Sequence, residues 1–142
     1  MDEDAPERRR AENDARAVGT ANAAFYSAFE ARDLDAMAEV WERSTRATCT
    51  HPGWPTLHGW VQVLGSWEAI FRNTPWIQFV LTDEVVEVEG DTAWVTVTEN
   101  ILQGESVHAS SAAALNVFVR RPGGDGWRLV VHHGSPVASP AE

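Results

Sequence analysis

The stretch WIQFVLTDEVVEVEGDTAWVTVTENILQGESVHASSAAALNVFVRRPGGDGWRLVVHHGSPV, residues 76–137, decides the fold class. It holds four long runs, 77–89, 93–103, 107–121 and 127–137, rich in β-branched and aromatic residues. They are separated by Gly90-Asp91, by Gly104-Glu105 and by Pro122-Gly123-Gly124-Asp125-Gly126. Short glycine-containing breaks between such runs are hairpin signals, so the stretch predicts an antiparallel meander.

Upstream the period changes. Residues 13–31 place Ala17, Ala21, Phe25, Ala28 and Phe29 at helical spacing. Arg32-Asp33 breaks that run, and the Asp33 carboxylate can cap a second helix that buries Leu34, Met37 and Trp41. Residues 45–51 alternate, with Ala47, Cys49 and His51 on one face, and read as a short strand stopped by Pro52-Gly53-Trp54-Pro55. A third helix is predicted over 59–72, with Trp60, Val63, Leu64, Trp67 and Phe71 as its apolar stripe, and Pro75 follows it. Helices first and a meander afterwards make an α+β domain. The domain is expected over 13–137. Residues 1–12, charged and almost without large apolar side chains, are expected to be a disordered leader, and 138–142 a frayed tail.

At 142 residues the chain can bury one core and one pocket. Net charge is −10, and all 11 basic residues are Arg. Without Lys there is no Schiff base and no phosphate-loop lysine. No basic stripe marks a nucleic-acid or anionic-membrane surface, so neither partner is expected. The single Cys49 permits no intrachain disulfide. No signal-peptide pattern or membrane-length apolar run is present, and a cytoplasmic location is expected. Seven Trp against one Tyr point to an aromatic pocket, a buried pairing face, or both.

Several residues carry candidate chemistry. His51 ends its strand beside the Pro-Gly-Trp-Pro loop. Its imidazole can remove a proton near neutral pH, or simply bond the loop backbone. Asn116 lies between Leu115 and Val117 in an apolar run, where a buried amide either faces a pocket or ties two strands together. In residues 127–135, Trp127, Leu129, Val131, His133 and Ser135 share one face, and Arg128, Val130, His132 and Gly134 share the other. Arg128 marks solvent, so His133 and Ser135 are expected to point inward; a bulge would exchange the two histidines. Alternation puts Asn100 with Trp94, Thr96 and Thr98. Glu99 then falls with Val95 and Val97, at a pairing face or the sheet edge. Trp54 suits a pocket wall or lid, Trp67 the core, and His58 a rim or a cap. His51, His58, His132 and His133 show no metal-binding spacing, so no metal or cofactor is expected.

Five segments occur in a telling order: AFEARDLDAMAEVW (28–41), THP (50–52), LHGW (57–60), GDTAWVTVTENI (90–101) and GWRLVVHHGSPV (126–137). Through them the chain resembles the nuclear-transport-factor-2-like superfamily over 13–137, and its SnoaL-like group in particular. The resemblance implies a cone-shaped, curved, mixed or antiparallel sheet with three N-terminal helices around a pocket, the cystatin-like α+β roll. It also implies a homodimer paired through the outer sheet face. Proteins of this superfamily include steroid isomerases, polyketide cyclases, dehydratases, epoxide hydrolases and binding modules without catalysis. The closing segment is also similar to the association domain of a calmodulin-dependent kinase.

Against the ketosteroid isomerases, His51 stands where the catalytic base stands. Asn116, in LNVFVR (115–120), lies on the strand that carries the acid of the oxyanion hole. Phe25 occupies the place of the first-helix tyrosine, with Tyr26 about 100° further round the helix. The implied function is a pocket for a small apolar molecule, with isomerase, cyclase or dehydratase chemistry on an apolar carbonyl compound. His51 would be the base, Asn116 the electrophilic donor and His133 a second acid–base group. Phe25, Trp54, His58, Trp67, Asn100 and Ser135 would contact the ligand. A non-catalytic dimeric ligand-binding or association module is the other reading, and the sequence leaves catalysis open.

Overall fold

A computed structural model of the chain describes residues 4–104, 108–123 and 126–138. Glu105, Gly124-Asp125 and the tail after Ala138 lie outside the described residues. The elements in chain order are α1 (Ala5–Ala31), α2 (Leu34–Val40), β1 (Thr48–Thr50), β2 (Leu57–His58), α3 (Trp60–Asn73), β3 (Ile77–Glu89), β4 (Thr92–Gln103), β5 (His108–Arg120) and β6 (Trp127–Pro136). One curved sheet runs in the order β2-β1-β6-β5-β4-β3. β1 is parallel to β6 and every other pairing is antiparallel, so the fold is α+β with a mixed sheet.

α1 starts ahead of the expected position. Pro6 sits in its first turn, where no backbone N–H is needed, and residues 5–12 continue the helix instead of forming a disordered leader. The helix ends on Arg32 in the left-handed region (φ 50°, ψ 44°), with the Asp33 N–H donating to Ala28 O at 3.1 Å. Asp33 then caps α2: its Oδ1 accepts from the Ala36 N–H at 3.1 Å. The buried stripe of α1 is Val18, Asn22, Phe25, Tyr26 and Ala28; Phe25 and Ala28 are as expected, while Val18 and Asn22 take the inward places of Ala17 and Ala21, and Ala17 is exposed. That small rotation brings Tyr26 and Asn22 under the sheet.

The helices cover the inner sheet face over a core of Phe25, Met37, Trp41, Trp67, Phe118 and Leu129, all fully buried. On β4 the inward residues include Val95, Val97 and Glu99; on β5 they are Ala112, Ala114, Asn116 and Phe118. Ala112, small and on the cavity wall, leaves room beneath the helices that a larger side chain would fill.

Two bulges shape the sheet. In β3 the register shifts between Thr82 and Val85, and Asp83 takes φ 56°. The other decides the site. Phe118 pairs with Leu129 but Val117 pairs with Val131, so Val130 is an extra residue in β6. Leu129 and Val130 are both buried, and the alternation inverts after them. His132 and Gly134 therefore face inward, while His133 and Ser135 are exposed on the outer face, opposite to the expectation from Arg128. Gly134 has a steric reason to be glycine, since a Cβ there would lie 3.1 Å from Pro52 Cγ.

Candidate functional site

A cavity of about 580 Å³ opens between α1, α3 and the inner sheet face, within the size range of small-molecule sites. Phe29, Trp54, Ile70, Ile77, Phe79 and Ile101 give it apolar walls, and Asn73, Gln103 and Ser110 supply uncharged polar groups. Among the described residues, the ionisable ones on its wall are His51, Glu99 and His132, with no Arg.

His51 is held from three sides. Its Nε2 lies 2.9 Å from Ser66 Oγ on α3, and that hydroxyl donates to Val63 O at 2.7 Å. Since the serine proton is committed to the carbonyl, Ser66 Oγ accepts from Nε2–H, and Nδ1 keeps its lone pair. Trp54 and Trp67 meet the ring edge-on at centroid separations of 4.9 and 4.7 Å. Burial pulls the imidazole down to about 4, so it is neutral at physiological pH. Cys49 Sγ lies 3.6 Å from Nε2 and 3.9 Å from Nδ1, and burial pushes that thiol up, away from the reactive thiolate.

A second group is tied together across α1, β4, β5 and β6. Tyr26 Oη donates to Glu99 Oε2 at 2.6 Å. Asn116 Nδ2 donates to Tyr26 Oη at 3.2 Å and to Asn22 Oδ1 at 2.9 Å. Asn116 Oδ1 faces His132 Nδ1 at 2.6 Å. Burial lifts Glu99 to about 7, against the opposing pull of the tyrosine hydrogen bond. Burial, with smaller contributions from His51 and His133, lowers His132 to about 3. Burial and the neighbouring Glu99 raise Tyr26 far above its ordinary value, so it remains a hydroxyl donor. Together these groups offer a poised carboxyl and two neutral imidazoles to one apolar hollow, a set fit for moving protons.

The expected site residues divide accordingly. His51 and Trp54 line the cavity. Trp67 and Phe25 are fully buried behind it, Phe25 with its ring 4.8 Å from His132. Asn116 lies on the correct sheet face but is not on the cavity wall, and both its amide hydrogens are spent on Asn22 and Tyr26, so it cannot be the electrophilic donor. His133 and Ser135 point away, His132 taking the inward place. Asn100 is also on the outer face, bonded to Val80 O, Thr82 Oγ1 and Ser111 Oγ. His58 is exposed on β2 and is not on the cavity wall; its N–H donates to Gln62 Oε1. Glu99, Tyr26, Ser66 and Asn22 were not anticipated. Alternation had put Glu99 on the face of Val95 and Val97, which proves to be the pocket face. Among the described residues no group of three His, Cys, Asp or Glu could hold a metal, and no helix is long and apolar enough to cross a membrane.

Comparison with known proteins agrees with this architecture. The family model for the SnoaL-like domain matches residues 18–139. A solved structure of a proposed dehydratase of the NTF2-like family from Streptomyces avermitilis is 44% identical, with a TM-score of 0.83, over 90% of this chain and 99% of that one. A proposed calcium/calmodulin-dependent protein kinase type II association domain from Thiobacillus denitrificans is 34% identical, with a TM-score of 0.75, over 83% and 93% of the two chains. The F-box protein SKIP8 of Arabidopsis thaliana is 28% identical over 84% of this chain, which spans 49% of that relative's length.

Proposed function

The chain belongs to the SnoaL-like domain family, and on that premise we propose that it is a small-molecule pocket protein that performs acid–base chemistry on a largely apolar carbonyl compound. The observation that carries the reading is the His51 imidazole on the wall of the 580 Å³ cavity, with Nε2–H tied to Ser66 and Nδ1, 3.9 Å from Cys49 Sγ, keeping its lone pair for a proton. Nδ1 takes a proton from the carbon beside the substrate carbonyl, and the bonding pair passes into an enolate. Isomerisation, cyclisation and dehydration all begin this way. The 44% identity to a proposed dehydratase favours the last.

Deuterium wash-in tests this without a known substrate. A bound aryl ketone such as acetylnaphthalene should exchange its α-hydrogens in heavy water faster with the wild-type protein than with His51→Gln. Equal rates for the two proteins would contradict the role of His51.

A second reading has its own support. The outer sheet face exposes Val80, Val85, Trp94 and Leu115, and a kinase association domain is 34% identical. We propose that this face pairs two copies of the chain, either around two working pockets or as a non-catalytic ligand-binding or association module.

A further inference from the structure

We propose that Glu99 is the proton donor of the cavity and Tyr26 the residue that positions it, so that the cavity takes an uncharged ligand with a carbonyl or hydroxyl oxygen beside Glu99. The inference rests on the pocket reading above and adds to it the acid and the charge class of the ligand.

Tyr26 Oη already accepts from Asn116 Nδ2, so its own proton goes to Glu99 Oε2, at 2.6 Å. Glu99 is 3% exposed and lines the cavity, and its Oε1 makes no protein hydrogen bond among the described residues. A proton on this carboxyl therefore sits on Oε1, the oxygen left to a ligand. The ionised form is poorly supported. Among the described residues it has one donor, Tyr26, and no Arg stands on the cavity wall. Around it stand the neutral His51 on the β1 end and His132 on β6. The acidic groups on the flanking elements are Glu30 on α1, whose carboxylate accepts from the Phe79 N–H at 2.9 Å, and Glu84 on β3, which acts on Tyr26. Burial in these surroundings keeps Glu99 protonated up to about pH 7.

The ligand class follows. An anion would meet a cavity with no cationic side chain among the described residues of its wall, in a chain of net charge −10. A cation would first have to ionise Glu99, which the site supports with a single hydrogen bond. An uncharged oxygen accepts from Oε1–H directly. In a dehydration the step balances. His51 Nδ1 takes the α-proton, the C–H pair becomes the double bond, and the C–O bond breaks as the oxygen takes the Glu99 proton and leaves as water. A proton passing from His51 to Glu99 then resets the site.

Two measurements on the full chain test this, each with wild type, Glu99→Gln and Tyr26→Phe. In infrared pH titration, wild type should show a protonated-carboxyl stretch at neutral pH that vanishes on the alkaline side and is absent in Glu99→Gln. Tyr26→Phe should move that loss to higher pH, because the hydroxyl that steadies the carboxylate is gone. In equilibrium dialysis, acetylnaphthalene should bind wild type about tenfold more weakly on the alkaline side, and with no pH dependence in Glu99→Gln. Naphthoate should be excluded. Acetylnaphthalene binding that Glu99→Gln leaves unchanged at every pH, or an unmoved midpoint in Tyr26→Phe, overturns the roles of Glu99 and Tyr26 and leaves the pocket standing. Tighter binding of naphthylmethylamine or naphthoate overturns the ligand class. Failure of all three probes to bind contradicts the pocket reading itself.

Discussion

His132 and Asn116 are register partners on neighbouring strands, and Nδ1 of the one lies 2.6 Å from Oδ1 of the other. A carboxamide oxygen only accepts, so the His132 proton is on Nδ1 and its Nε2 is the basic atom. The same amide sends its hydrogens to Tyr26 and Asn22, so one side chain orients groups on α1, β4 and β6. The arrangement has a cost. Asn22 Nδ2 is buried with no partner among the described residues, which costs on the order of 1–3 kcal/mol.

Replacing Asn116 by Leu should destabilise the fold by about 3 kcal/mol, because His132 Nδ1 and Asn22 Oδ1 lose their partners inside the protein. Leu115→Ala, on the half-exposed outer face, should cost much less. Urea denaturation of the two variants checks the contrast. Equal losses would mean that the amide network adds nothing to ordinary packing.

Stability should depend on pH through Glu99. Its folded value of about 7 lies above its ordinary 4.5, so the folded state keeps a proton that the unfolded chain releases between those values. The stability it contributes is complete below 4.5 and is lost as pH rises towards 7, at ~1.4 kcal/mol per pH unit. His51 and His132 act in the opposite sense. Their lowered values remove stability as pH falls from 6.5 towards 4 and 3. Glu99→Gln keeps both histidines, so its stability relative to wild type should rise by about 3 kcal/mol from acid to alkaline pH. Denaturant midpoints along a pH series measure this, and a flat difference would refute it.

The α-deuterium exchange rate should have an acid and an alkaline limb. The base form of His51 exists above about 4 and the acid form of Glu99 below about 7, so the rate should be highest between them. Glu99→Gln should lose the alkaline limb. His51→Gln should lower the rate by about 10²–10⁴-fold across the range. Rate–pH profiles of the three proteins test both statements.

Gly134→Val should destabilise by about 1–3 kcal/mol, since even a Cβ at this position lies 3.1 Å from Pro52 Cγ and 3.2 Å from Cδ. Pro52 is part of the cavity wall and adjoins His51, so acetylnaphthalene affinity should fall as well. Thermal melts and dialysis read the two effects. A variant as stable as wild type would contradict the close approach.

The outer face, with Trp94 38%, Leu115 39% and Val85 51% exposed, should hold two copies together. Sedimentation at micromolar concentration should give a dimer for wild type and a monomer for Leu115→Glu. A wild-type monomer would contradict the pairing.

Apart from the two-residue β2, strand and helix order were legible because the hydrophobic period switches from 3.6 to 2 near Trp76, and Asp33 and Gly90 mark their boundaries. The site was less so. Val130 is an extra residue among equally apolar neighbours, so only the pairing with Val117 and Phe118 reveals the bulge that exchanges His132 for His133. Phe25 and Tyr26 lie about 100° apart round α1, and the helical period alone could not show that both are buried. Glu99 was assigned to the correct side of β4, but the pocket side of the sheet emerges only when the helices are packed. Asn116 looked like a ligand donor because its partners, Asn22 and Tyr26, are on a helix remote in sequence.

The central claim is that His51 stands neutral in an open hollow with its basic nitrogen available to a ligand. Nitrogen NMR of labelled protein across a pH series tests it most directly. The account predicts a His51 ring protonated on Nε2 alone down to about pH 4, with its Nδ1 resonance shifted by acetylnaphthalene. A ring that titrates near its ordinary 6.5 and ignores the ketone would contradict it.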